Sequence, residues 1–350
     1  MCRVAGKALY EYGLQNSVPV RILSMHDNQE AAAGNPYFPT EMFLGFNAAK
    51  VQFIMDAVDA GSKSKVVILS HINLLIAGWL IKKISPSTRV VLMAHGIEIW
   101  QPLNRRKLVM LHSCDKILSV SGYTNETIKK LHHLSDKKCS VLNNCIDPYL
   151  IRPAVKERSE MLAKRYGFTK DDVIILTLTR LSKIDRYKGY DHVLEGIAAS
   201  GNTRLKYLLA GKYDATEAAY VKDIAVRLGL SDRLILAGFV PEEELPEYFS
   251  TADIYVMPSM KEGFGIVFVE AMFYGLPVIA GNADGSSDAL LHGRLGILIP
   301  PEKPGALVDA LQKILSGTNK YIPDQKLLKE HFSYETYKCG LAKLLNQSHE

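Results

Sequence analysis

At 350 residues the chain is long enough for two domains, and 47% hydrophobic with 23% charged residues is the composition of an ordinary globular protein, not of a low-complexity or fibrous one. The longest apolar run, residues 66–81, is interrupted by His71 and Asn73 and is too short for a spanning helix, so it reads as a strand followed by a helix. The net charge of +5 is uneven: residues 1–150 hold 17 Lys and Arg against 11 Asp and Glu, and the remainder holds 25 against 26.

The five cysteines, at 2, 114, 139, 145 and 339, are odd in number and form no C-x-x-C pair. That pattern points to a reducing, cytoplasmic setting and away from a zinc site. No basic-then-apolar leader opens the sequence. The basic first half carries clusters at Lys82-Lys83, Arg105-Arg106-Lys107, Lys129-Lys130 and Lys137-Lys138. Such a surface suits an anionic membrane or a nucleic acid. No recognition helix, zinc knuckle or RNA-binding motif supports the second, so no nucleic-acid partner is expected. Taken singly, each cluster is also what a solvated helix face looks like.

In chain order, residues 3–15 read as a helix and 18–25 as a strand. The pattern over 41–60 is helical, 65–70 is a strand, and LLIAGWLIKKI is a helix that stops before Pro86. Residues 89–96 form the next strand, with His95 at its carboxyl end, where open α/β sheets bind their ligands. His71 is similarly placed and is read as structural, while His112, His132 and His133 show no metal-ligand spacing. Residues 114–131 read as strand then helix, with a loose capping arrangement from Thr124 to Thr127. A strand and turn over 141–148 lead to a hinge and helix over 149–170, which places a domain boundary near 150. Residues 172–181 are a buried strand running to Arg180 and into SKIDRYKGYDHVLEGI. Strands at 207–212 and 234–241 each enter a turn through Gly211 or Gly238, and PEEELPEYFSTA reads as an acidic surface helix.

The most informative stretch is EGFGIVFVE, residues 262–270. It follows the apolar strand ADIYVMPS and leads through Gly263 and Gly265 into a short helix closed by Gly275. A glycine turn between a parallel strand and a helix gathers free backbone N–H groups at the positive end of the helix dipole, which suits a phosphate. If the whole segment were helical, Glu262 and Glu270 would stand about 12 Å apart. Glycosidase acid–base pairs need roughly 5–9.5 Å, so the spacing fits poorly there. It fits two sugars joined by a pyrophosphate, with Glu262 on the transferred sugar, the amides of Phe264, Gly265 and Ile266 on the phosphates, and Glu270 on the ribose diol. The plain alternative is two solvated glutamates. Beyond this stretch, 276–281 is a strand, a glycine loop with Gly285 and Ser286 follows, and 304–316 and 324–346 are helical.

The 262–270 stretch resembles the donor-site motif of the retaining glycosyltransferases of family 4. That resemblance implies an α/β fold of the GT-B type, two facing Rossmann-like domains with parallel sheets and an interdomain cleft. It implies an N-terminal acceptor-side domain over 1–150, a nucleotide-sugar-binding domain over 151–325, and a C-terminal helix over 326–350 crossing back to the first. AHGIEIW resembles the family segment whose histidine, here His95, lies beside the transferred sugar. Arg180 and Lys188 match the Arg and Lys that grip the donor diphosphate, whereas Lys183 and Arg186 are read as solvated. Val240 is a nucleotide candidate from the turn that holds the base; Gly285 and Ser286 are within reach of the donor in the family, but turn chemistry alone explains them. At 141–148 the family's Asn-Gly is Asn144-Cys145, so Asn144 is expected to take the left-handed conformation. The first helix resembles the region just after the family's N-terminal glycine turn, and Met1 is expected to be an internal or misassigned start.

The expected activity is transfer of a hexose-type sugar from a nucleoside diphosphate sugar, UDP- or GDP-linked, to an acceptor hydroxyl with retention. The expected setting is polysaccharide or glycolipid assembly, with a saccharide or lipid-linked acceptor, in the cytoplasm or at the inner face of a membrane; small soluble acceptors fit nearly as well. The resemblance implies no metal and no cofactor, because Arg180 and Lys188 supply the positive charge. A non-catalytic nucleotide-sugar-binding scaffold and a sugar-nucleotide epimerase or hydrolase of the same fold remain the alternatives.

Overall fold

The computed structural model describes residues 1–153 and 157–346, which divide into two compact units. The first comprises residues 1–148 with the described residues from Ser333 on, and the second runs from Tyr149 to Phe332.

In the first unit, strands β1 (Ile22–Ser24) and β2 (Phe43–Gly45) pair parallel to one another. Strands β3 (Val66–Leu69), β4 (Arg89–Ala94), β5 (Lys116–Ser119) and β6 (Cys139–Val141) form a four-stranded parallel sheet in that order. Helices cover its faces, and Leu92, Ile117, Ile81, Leu111 and Ile128 are fully buried in its main core. Helix Cys2–Asn16 lies against helix Tyr334–Asn346, where Val4 and Ala8 pack with Tyr337 and Leu341. Lys338 Nζ meets Glu11 across that seam at 3.0 Å, and the guanidinium of Arg89, at the start of β4, ties the last helix to the sheet by donating to the carbonyls of Leu344 and Leu345 at 2.9 and 3.1 Å.

In the second unit, strands β7 (Val173–Leu178), β8 (Leu205–Ala210), β9 (Leu234–Gly238), β10 (Ile254–Met257), β11 (Val278–Gly281) and β12 (Ile297–Ile299) form one parallel sheet. Their order is β12-β11-β10-β7-β8-β9. The chain winds outward from β7 in one direction, then returns to β10 and winds outward in the other. That reversal makes the carboxyl ends of β7 and β10 the point at which a doubly wound sheet opens a crevice for ligand. The near-continuous apolar character of β10 and β11 matches burial of every residue in both.

Several expectations need correction. Residues 41–60 are not one helix: a 3-10 turn (Thr40–Met42) and β2 come first, and the helix is Lys50–Ser62. Asn47 and Ala48 adopt positive φ of 45° and 64°, which no continuing helix allows. The helix after β5 is capped by Ser121, whose hydroxyl accepts from the Thr124 amide at 3.0 Å, so Thr124 lies inside it. Asn144 is absent from the positive-φ residues, and Cys145 is 1% exposed, so this turn does not need the glycine. The 241–252 segment is acidic and exposed at Glu242, Glu243 and Glu247, but Tyr248, Phe249, Ser250 and Thr251 in helix Leu245–Thr251 are buried. The 324–346 helix is two, Gln325–Phe332 and Tyr334–Asn346, and the break falls where one unit gives way to the other. Among the described residues no helix is long and apolar enough to cross a membrane.

Candidate active site

The central loop leaves β10 through Pro258 and Ser259 and reaches Gly265, whose φ of 76° sets the turn into helix Ile266–Phe273. A Cβ at Gly265 would lie 2.4 Å from the Phe268 ring, so only glycine fits that turn. The first amides of the helix, from Ile266 on, have no acceptor within it. Phe264 is 2% exposed and packs edge-to-face on Phe332, anchoring the loop between Gly263 and Gly265. Of the interval from Glu262 to Glu270 only the last part is helical, about 6 Å of rise from Ile266.

The loop after β7 comes to the same place. Residues Lys183–Lys188 form a 3-10 stretch ended by Gly189 at φ 72°. A Cβ there would sit 2.7 Å from the Pro258 carbonyl oxygen, and the Met260 amide donates to the Tyr187 carbonyl at 2.9 Å. These close approaches bring Lys188 Nζ onto Glu262 Oε1 in an ion pair whose side chains are 17% and 13% exposed. Burial raises the Glu262 carboxyl above its ordinary value, while the charge and hydrogen bond of Lys188 act the other way. The nearby carboxylates of Asp284 and Asp185 raise it further. Tyr187 feels the charges of the same groups; its phenol is pushed up to about 12, first by burial and then by Glu262 and Asp185, and stays a hydrogen-bond donor.

Arg180 is oriented by a residue that sequence reasoning passed over. Its Nε and Nη2 donate to the two oxygens of Asp185 at 2.7 and 3.0 Å, and Ser182 Oγ donates to the same carboxylate at 2.5 Å. Asp185 is buried while the Arg180 side chain is 68% exposed, so the fork is clamped along one edge and faces solvent along the other. The Arg180 hydrogen bond and charge hold the Asp185 carboxyl below its ordinary value against the opposing effect of burial. Arg186, expected to be solvated, instead pairs in two-pronged fashion with Glu217 at 2.9 Å and lies over the Tyr220 ring, 3.4 Å from its centroid. Glu217 is 1% exposed and would not be tolerated there without its cation. Lys183 is exposed.

Asp284 was also missed. It is 1% exposed in the loop after β11 and accepts a hydrogen bond from the Glu262 amide at 2.6 Å. Both buried acids lie in loops whose Ser, Asp and Gly residues read as turn chemistry, and their only signal is an acid a few residues from a predicted ligand. Gly285 sits against the central loop, and Ser286, fully buried, donates its amide to Asp284. Glu270 lies on the fifth position of helix Ile266–Phe273, half-buried, and its charge adds to the effect of burial in pushing the Tyr274 phenol up to about 12. After β9 the turn at Gly238 buries Val240 and leaves the Phe239 ring 73% exposed, so the ring, and not the Val240 side chain, is what this turn presents to solvent.

His95 belongs to the first unit. It follows β4, its amide donates to Glu98 Oε1 at 2.6 Å, and its Nε2 lies 2.8 Å from the Ser70 carbonyl oxygen. A carbonyl partner requires Nε2 to carry the proton, which leaves Nδ1 as the acceptor in the neutral ring. His71 caps the 3-10 turn Ile72–Leu74 through Nδ1, a structural role. Among the described residues no group of three or more His, Cys, Asp or Glu is arranged to hold a metal ion.

With a six-stranded doubly wound sheet in one unit and a parallel sheet in the other, the chain has the fold of the GT-B glycosyltransferases. Residues 159–330 match the family described as glycosyl transferases, group 1. The chain is 27% identical over 231 residues to an uncharacterized glycosyltransferase of Methanocaldococcus jannaschii, covering 64% of this chain and 57% of that one. It is 26% identical over 255 residues to the GDP-mannose-dependent alpha-(1-6)-phosphatidylinositol monomannoside mannosyltransferase of Mycobacterium tuberculosis, covering 69% and 64%. The chain thus spans less than two thirds of the length of either relative. The crystal structure of Anabaena HepE in complex with UDP superposes with a TM-score of 0.77 at 19% identity, covering 97% of this chain and 96% of that one.

Proposed function

We propose that this protein is a retaining, metal-independent glycosyltransferase that moves a hexose-type sugar from a UDP- or GDP-sugar to an acceptor hydroxyl. The observation that carries the reading is the meeting of Lys188 with Glu262 beside the glycine turn, at the crevice between β7 and β10. In the proposed complex Arg180 and Lys188 face the diphosphate, the amides of Phe264, Gly265 and Ile266 receive its oxygens, Glu262 orients the sugar, and Glu270 holds the ribose diol. Fixed cations opposite a leaving diphosphate favour the transition state over the ground state, because negative charge grows there as the bond breaks. Departure and attack then share one face of the sugar, and the diphosphate takes the acceptor proton.

The similarity to a GDP-mannose-dependent enzyme and to a protein crystallised with UDP supports a nucleotide-sugar donor and leaves the base to be tested. The phosphatidylinositol mannoside acceptor of the mycobacterial relative, with the basic clusters of residues 1–150, favours a lipid-linked acceptor at an anionic membrane surface within polysaccharide or glycolipid assembly. The test is a thermal-stabilisation screen with UDP-, GDP- and ADP-sugars, since a ligand at 100 times its Kd contributes about 2.7 kcal/mol. Stabilisation by one base series, followed by acceptor-dependent turnover that survives a chelator and yields product with the donor's anomeric configuration, is the expected result. Turnover of donor without acceptor would replace this reading with hydrolysis or epimerisation.

A further inference from the structure

Three hydrogen-bond donors converge on one buried carboxylate beside the donor loop. Oδ2 of Asp284 accepts from the Glu262 amide at 2.6 Å and from Ser259 Oγ at 2.8 Å, and Oδ1 accepts from the Ser286 amide at 2.9 Å. Ser259 and Ser286 are fully buried, with their hydroxyl oxygens 3.2 Å apart. A return bond runs from the Gly285 amide to the Glu262 carbonyl at 2.8 Å. Two consecutive residues of the β11 loop therefore hold both backbone polar groups of Glu262.

The clasp has little room to slip. A Cβ at Gly285 would lie 2.1 Å from the Gly263 carbonyl oxygen and 2.8 Å from that of Glu262. The strands below are in fixed register, with Val256 opposite Ile279 and Met257 opposite Ala280. A carboxylate offers only acceptors, which matches three donors, whereas an amide would turn its NH2 toward one of them. Placing a second buried acid next to Glu262 is electrostatically unfavourable, so a neutral loop would serve better if packing were the only requirement.

We propose that Asp284 is a positioning residue for the sugar end of the donor site: it fixes the Glu262 backbone so that the Glu262 carboxylate meets the transferred sugar. The inference rests on the reading of Glu262 given under Proposed function. It separates Asp284 from the nucleotide end, where Arg180 and Glu270 act.

The test compares Glu262→Gln, Asp284→Asn and Ser259→Ala with the parent protein, measuring Kd by calorimetry for UDP and UDP-glucose, or for GDP and GDP-mannose, whichever pair stabilises the protein, together with kcat. Asp284→Asn is expected to leave nucleoside diphosphate affinity unchanged, to weaken the sugar nucleotide by about tenfold or more, and to lower kcat by on the order of 10², the effect of displacing a reacting group by about 1 Å. Ser259→Ala, which removes one donor to Asp284 and keeps the acid, should show the same selectivity in weaker form and serves if the Asp284 variant does not fold. Selective loss in Glu262→Gln without it in Asp284→Asn and Ser259→Ala overturns the role of Asp284 alone. Equal loss of diphosphate and sugar-nucleotide affinity in Asp284→Asn reduces the clasp to general loop support and also overturns it. No selective loss in Glu262→Gln overturns the reading of Glu262 itself.

Discussion

Replacing Lys188 with Ala separates two consequences of one contact. The Lys188 and Glu262 side chains are 17% and 13% exposed, so removing the cation leaves a carboxylate mostly out of water. Losing a charged hydrogen bond costs about 1.5–3 kcal/mol, and breaking a fully buried pair roughly 3–5; the residual exposure here favours the lower range. The carboxyl has an escape, since it can take a proton. In the intact protein burial already holds it above its ordinary 4.5, with Lys188 opposing, and the variant loses that opposition. Between the ordinary and the raised value the folded state binds more protons than the unfolded state, so stability falls as pH rises, by up to about 1.4 kcal/mol per pH unit. That window is wider in the variant. Its deficit should therefore be small at pH 5 and grow toward pH 8, as read by urea unfolding at the two pH values. Turnover should fall by on the order of 10² or more, because a preorganised charge opposite the leaving group is gone. A stability gap that is the same at both pH values, or turnover close to that of the intact protein, would refute the reasoning.

Glu270→Ala should weaken donor binding by about 1.5–3 kcal/mol, roughly 10- to 150-fold in Kd, with a smaller change in kcat; titration calorimetry with the sugar nucleotide checks it. Asp185→Asn should loosen the Arg180 fork and lower kcat. Because the Asp185 carboxyl is held below its ordinary 3.8, the stability it contributes is present above that value and lost as pH falls through the folded one, so this variant should flatten the acid limb of the stability curve. Arg186→Ala strands Glu217 and should destabilise the second unit by about 3 kcal/mol while leaving donor affinity per folded molecule unchanged, which unfolding and calorimetry together distinguish.

The apolar run of β10 followed by Gly263 and Gly265 made the central loop readable, because an apolar strand and a glycine turn each leave a local pattern. The alternation of apolar strands and helices gave the parallel architecture in the same way. Longer-range chemistry left no such trace. Lys188 and Glu262 are 74 positions apart, and only the return of the chain from β9 to β10 sets them side by side. Asp185 and Asp284 look like turn residues until their burial is known, and Arg186 looks like a surface cation until Glu217 arrives from helix Ala215–Arg227, beyond β8. The 41–60 misreading has a local cause: Phe43 and Phe46 continue a helical spacing across Asn47 and Ala48, whose backbone forbids it. Of those four residues only Asn47, a type that tolerates the left-handed region, marks the break.

Helix Tyr334–Asn346 packs on helix Cys2–Asn16, so the first unit draws on both ends of the described chain while the second is continuous. During synthesis the second unit has all its strands before the closing helix leaves the ribosome, and the first must wait with the apolar faces of Val4 and Ala8 uncovered. The first unit, whose sheet is made first, is thus completed last. Nascent-chain proteolysis should find the later-made unit resistant first, and a chain stopped at Phe332 should depend on chaperones for its amino-terminal part alone.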